Sequence, residues 1–104
     1  MTDQVRFTPT LADLRSRRDE ILALAKRYGA YNVRVFGSVA RGDATPDSDI
    51  DFLVSFEDWV SLYEISGLKR ELGELLNCVV DVVEDHPGLR ERFRRRVLKD
   101  RVLL

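Results

Sequence analysis

Three aspartates and a glycine–serine pair are the residues of this sequence best suited to chemistry. Asp49 and Asp51 sit two apart in "SDIDFLV", and Asp81 interrupts the apolar run "VVDVV". Side chains in a strand alternate faces, so Asp49 and Asp51 share one face with Cα atoms ~7 Å apart, while Ile50 and Phe52 take the other. Two carboxylates that close raise each other's pKa and cost stability. A lone carboxylate inside an apolar strand is expensive too. A hard divalent cation removes both conflicts, because Mg²⁺ prefers carboxylate oxygen and is commonly shared between a few carboxylates and substrate phosphates. If the Asp81 strand lies beside the Asp49–Asp51 strand, three acids can hold two metal ions ~3.5–4 Å apart, as in-line phosphoryl or nucleotidyl transfer uses. The plainer reading is that Asp49 caps a turn, Asp51 lies on a solvated sheet face and Asp81 is an edge residue.

What precedes the acids decides between these readings. Gly37 and Ser38 follow an apolar strand directly. Glycine lets backbone approach a ligand closely, and free N–H groups at a turn or helix start bind phosphate oxygens. The Ser38 hydroxyl adds a donor, and the planar guanidinium of Arg41 suits a triphosphate. No Gly-Lys-Ser/Thr is present, so this is not a Walker-type loop. A phosphate cradle and a metal-binding strand face are thus joined by the loop "GSVARGDATPDSD".

The elements that must position these groups follow from periodicity. Thr8 before Pro9 reads as a helix cap, and Leu11, Leu14, Ile21, Leu22, Ala25 and Tyr28 then recur at helical spacing until Gly29. "NVRVF" alternates as a strand, and one helical turn fits after Ser38. "DIDFLVSF" is the second strand. Asp58 is placed to cap a second long helix with Val60, Tyr63, Ile65, Leu68, Leu72, Leu75 and Leu76 as its apolar stripe. "CVVDVVE" is the third strand, and Pro87 opens a last helix with Leu89, Phe93, Val97 and Leu98 buried. The order α-β-β-α-β-α implies an α/β (α+β) fold in one domain over residues 1–104, a small mixed sheet with helices mainly on one face.

The string "VFGSVARGDATPDSDIDFLV" resembles the nucleotidyltransferase superfamily of DNA polymerase β. In it Gly37-Ser38, ten further residues, Asp49-x-Asp51 and a later strand Asp81 all fall in place. It is most similar to the minimal members, the MNT proteins encoded beside HEPN-domain proteins in bacteria and archaea. The resemblance implies that Gly37 and Ser38 hold the outer phosphates of ATP and that Asp49 and Asp51 ligate two Mg²⁺ ions. Asp81 would ligate one of them and take or orient the acceptor proton. It further implies that AMP goes to a tyrosine of a HEPN ribonuclease toxin, making this chain an antitoxin. Two other readings stand beside it: a non-catalytic antitoxin that neutralises by binding, and a nucleotidyltransferase acting on a small molecule.

Composition narrows the rest. A chain of 104 residues with 44% hydrophobic and 34% charged residues suits one soluble domain, and larger superfamily members add domains that grip an acceptor. The acceptor site is therefore expected from a partner or from the substrate. A formal net charge of −1 argues against direct nucleic-acid binding. No apolar run is long enough to span a membrane and no signal-peptide core is present, so a cytoplasmic location is expected. The one cysteine, Cys78, reads as a small core residue, and the one histidine, His86, as a loop residue. "LRERFRRR" reads as a solvated helix face, with partner or triphosphate contact as the other reading. Trp59 and Tyr63 read as core or edge packing, with a partner interface as the alternative.

Overall fold

The structure is a computed structural model that describes residues 8–86, 95 and 99–104. The elements run α1 (Leu11–Ser16), α2 (Arg18–Arg27), β1 (Ala30–Phe36), α3 (Gly37–Arg41), β2 (Ile50–Phe56), α4 (Leu62–Leu76), β3 (Val80–Glu84) and β4 (Val102–Leu103). The sheet order is β3-β2-β1-β4. β1 pairs antiparallel with both β2 and β4, and β2 pairs parallel with β3. A parallel pair needs a crossover, and α4 supplies it. The expected small mixed sheet is therefore present.

Alternation along the strands sorts the two sheet faces. Val33 and Val35 of β1, Ile50, Phe52 and Val54 of β2 and Val80 of β3 join Leu14, Ile21, Ala25, Leu68 and Leu72 in one buried cluster between sheet and helices. Burying each such large side chain is worth roughly 1.5–3 kcal/mol. The remaining strand residues, among them Arg34, Phe36, Asp51, Leu53, Asp81 and Val83, occupy the opposite face by the same alternation. One extra residue interrupts β1: Tyr31 faces Ser55 but Arg34 faces Leu53, and Asn32 adopts the left-handed conformation at φ 53°. This bulge keeps both Ala30 and Val33 inward and leaves Tyr31 outside.

Local chemistry corrects several helix boundaries. The first helix is two, broken at Arg17, whose Nη1 donates to the Leu75 carbonyl of α4 at 2.8 Å. Its cap is Thr10, not Thr8. Thr10 Oγ1 accepts from Asp13 N–H at 3.1 Å while Asp13 accepts from Thr10 N–H at 3.1 Å. That reciprocal box outweighs proline at the first helical position. α4 is capped by Ser61 rather than Asp58, with Glu64 closing the same kind of box. Gly29 ends α2 with φ +77°, as its place after Tyr28 implied, and Val60 and Trp59 leave no room for a Cβ there.

The last helix expected from Pro87 lies almost wholly outside the described residues. So do Leu89, Phe93, Val97 and Leu98, and all of "LRERFRRR" but Arg95. The end of the chain is not helical as expected: Val102–Leu103 form β4. Leu104 N–H donates to Val33 O at 3.2 Å. The carbonyls of Leu103 and Leu104 take Arg15 Nη2 and Arg18 Nε at 3.0 and 3.2 Å. Pairing with β1 and these two arginines satisfy backbone groups that a helix end would leave open. Trp59 and Tyr63 are largely exposed rather than packed, as is Leu62. Cys78 is half-buried, and burial pushes its thiol pKa up.

The stripe on α4 makes a direct test. Leu68 is 0% exposed and Tyr63 is 81% exposed. Leu68→Ala is expected to lower unfolding free energy by about 2–5 kcal/mol, whereas Tyr63→Ala changes it by less than about 0.5 kcal/mol. Urea denaturation of both variants checks this.

Candidate active site

Register brings the acids together. Asp51 is the second residue of β2 and lies opposite Phe36 of β1 on one side and Asp81 of β3 on the other. In-register residues on neighbouring strands present side chains to the same face, so Asp51 and Asp81 stand side by side. Asp49 immediately precedes β2 and is exposed. Alternation across the buried Ile50 puts it on the Asp51 side.

The glycine–serine corner meets the same carboxylate. β1 ends at Phe36, and the chain turns through Gly37 at φ +74° into the five-residue helix α3. A Cβ built on Gly37 would stand 3.3 Å from Asp51 Cγ and closer still to its Oδ2. The backbone conformation therefore calls for glycine, and a Cβ there would push the Asp51 carboxylate aside. The other end of α3 is closed by Gly42 in the left-handed conformation. Gly42 and Asp43 N–H both donate to the Ser38 carbonyl, each at 3.0 Å.

Arg41 is near but engaged. Its Nη1 donates to Asp100 Oδ2 at 2.8 Å and its Nε to Asp43 Oδ2 at 3.2 Å. Hydrogen bonds to those two acids raise its pKa. Its charge still reaches Asp51, where it opposes protonation. That opposition loses: burial first, then the charges of Asp81 and Asp49, push the Asp51 carboxyl up to about 6.

Among the described residues, no three carboxylate, imidazole or thiol groups are drawn into a ready-made metal cage. The donor set nevertheless fits a hard cation. It is all carboxylate oxygen, it sits on one face, and Asp51 carries like-charge repulsion that the already paired Arg41 does not cancel.

The sequence reading missed a second feature of this face. Arg34 is 8% exposed; its Nη1 donates to Asp85 Oδ2 and its Nε to the Asn32 carbonyl, both at 3.0 Å. The signal was available in parity. Asp81 lies on β3 and Asp85, four residues on, directly follows it, so extended chain that aims the first at this face aims the second there too.

Linkage fixes the sign of a pH test. With its carboxyl held up to about 6, folded Asp51 keeps a proton that the unfolded chain releases at an ordinary carboxylate pKa. Stability from this group is present at low pH and falls as pH rises through about 4 to 6. Asp51→Asn has no charge to develop. Its advantage over wild type is expected to grow by ~1–2 kcal/mol from about pH 4 to about pH 7, after allowance for solvent screening. Calorimetry in metal-free buffer reads the difference, and a pH-independent offset contradicts the assignment.

Residues 18–104 match the nucleotidyltransferase domain family. The chain is 39% identical over 77 residues to protein adenylyltransferase MntA of Thermococcus cleftensis, covering 74% of this chain and 77% of that one. A solved structure described as a candidate minimal nucleotidyltransferase superposes with a TM-score of 0.79 at 47% identity, covering 92% of this chain and 97% of the other. The fold is shared, at 19% identity and a TM-score of 0.64, with a complex of a tri-AMPylated Shewanella oneidensis HEPN toxin and its MNT antitoxin. That match covers 86% of this chain and 69% of that one. Motif, register and relatives agree: this chain belongs to the nucleotidyltransferase-domain family, on its minimal, MntA-like branch.

Proposed function

We propose that the chain transfers AMP from ATP, with Mg²⁺, to a tyrosine hydroxyl of a HEPN toxin and so acts as its antitoxin in the cytoplasm. The observation that carries this reading is the in-register pair Asp51–Asp81, with Asp51 against Gly37, whose left-handed backbone at φ +74° favours glycine. Likeness to protein adenylyltransferase MntA supports the acceptor class, and the shared fold of the HEPN–MNT complex supports the partner.

The residues divide the work. The first turn of α3 starts from Phe36, which supplies no side-chain cap, so its N–H groups at Gly37 and Ser38 are donors for the outer phosphates. Asp49, Asp51 and Asp81 would hold Mg²⁺, which when bound offsets charge on the attacking and leaving oxygens. The acceptor oxygen bonds to the α-phosphorus, and the bond from that phosphorus to the pyrophosphate oxygen breaks. Asp81, exposed beside Asp51, takes the hydroxyl proton. Arg41, carried by α3 and pairing with Asp43 and Asp100, is placed to meet the triphosphate by exchanging one of these partners.

The test is incubation with α-labelled ATP, Mg²⁺ and the HEPN partner. Label on a partner tyrosine is expected, lost with chelator and lost by at least about 100-fold in Asp49→Asn with Asp51→Asn. Neutralisation of the toxin at equal stoichiometry without label would establish the binding reading instead. Label on a small molecule, with the protein partner unmodified, would establish the third.

A further inference from the structure

Arg34 and Asp85 form an ion pair that spans the sheet. Arg34 is on β1, Asp85 follows β3, and β2 lies between them. Nη1 to Oδ2 is 3.0 Å, and the side chains are 10% and 22% exposed. The pair lies on the face that carries Asp51 and Asp81: Phe36 shares their row, Arg34 shares the next row with Leu53 and Val83, and Asp85 lies beyond Val83. Stability does not account for it. A pair this buried rarely gains over apolar residues of similar volume. This one also keeps Arg34 Nη2 buried without a hydrogen-bond partner among the described residues.

Its value lies in register. β3 is an edge strand held by one neighbour. Its inward residues at Val80 and Val82 are preceded by Cys78, so a slip of two residues would place Cys78 and Val80 inward where Val80 and Val82 now stand. Apolar alternation does not exclude that slip, which preserves the faces. It would carry Asp81 ~6–7 Å along the strand, from opposite Asp51 to opposite Leu53. It would also put Val83 where Asp85 now meets Arg34, leaving a buried guanidinium without its carboxylate.

We propose that the Arg34–Asp85 pair is a positioning strut that locks the register of β3 and so sets Asp81 beside Asp51 and the Gly37–Ser38 turn. The strut is a geometric claim about the sheet, and only its consequence for metal binding rests on the nucleotidyltransferase reading.

Asp85→Asn, Arg34→Met and Arg34→Lys are compared with wild type in two assays on the full chain. The first is amide hydrogen exchange without metal or nucleotide. The second is magnesium titration of AMP transfer. In Asp85→Asn and Arg34→Met, β3 amides are expected to exchange at least about tenfold faster while those of the β1–β2 pair keep their protection. The magnesium concentration for half-maximal transfer is expected to rise about tenfold, with Arg34→Lys in between. A merely stabilising pair would lower protection across the whole sheet and reduce transfer at unchanged magnesium half-saturation. That outcome, or unaltered β3 exchange, overturns the strut. If the single variants do not fold, Arg34→Met with Asp85→Leu keeps a packed pair without direction. It is expected to show the same β3-selective loosening, and wild-type β3 protection in it overturns the proposal. Loosened β3 amides in a chain whose wild type transfers no AMP would sink the transferase reading and leave the strut standing.

Discussion

Two carboxylates in one row of a sheet repel, and the fold around Asp51 is organised by what it takes to keep them there. The register of β2 against β3 places Asp51 opposite Asp81, and burial deepens the conflict by removing solvent from Asp51. The protein offers little relief of its own. Among the described residues Arg41 is the cation felt at Asp51, and its guanidinium is shared with Asp43 and Asp100. Frustration of this kind is uncommon in a region selected only for stability, and groups with perturbed pKa values concentrate where chemistry is done.

The two faces of the sheet serve opposite ends. The face toward α1, α2 and α4 carries the main apolar cluster and supplies the cohesion. The other face is graded: Phe36, Asp51 and Asp81 in one row, then Arg34, Leu53 and Val83 in the next, with Arg34 reaching on to Asp85. The site therefore sits on a rigid three-strand platform and on the turn leaving β1, rather than on long loops. Precision of this sort matters when catalysis consists mostly of placing oxygens around a phosphorus.

Much of this was legible in the sequence, for identifiable reasons. Asp49-x-Asp51 and Gly37-Ser38 are short-range patterns, and strand alternation and glycine geometry translate them directly into positions. Asp81 was legible because a charge inside "VVDVV" has few cheap explanations. What escaped depended on partners far along the chain. Arg34 reads as the outward member of "VRV" until Asp85 is found across β2 to bury with it. β4 is two residues long and forms where β1 offers an edge, with Arg15 holding the Leu103 carbonyl and Arg18 that of Leu104 just beyond it. The caps at Thr10 and Ser61 were within reach, since Asp13 and Glu64 stand three residues on, but Thr8-Pro9 and Asp58 were equally plausible in isolation.

The bulge in β1 has a meaning that hydrophobic pattern hides. Without Asn32, the strand would still read Ala30 in, Tyr31 out, Val33 in, Arg34 out: a flawless pleat with an intact core face. The supernumerary residue contributes nothing to that alternation. What it contributes is a carbonyl turned toward the Arg34 guanidinium. A chain trimmed to the tidier pleat would look better by every measure of strand regularity, and would have lost one of the two oxygens that aim its buried arginine.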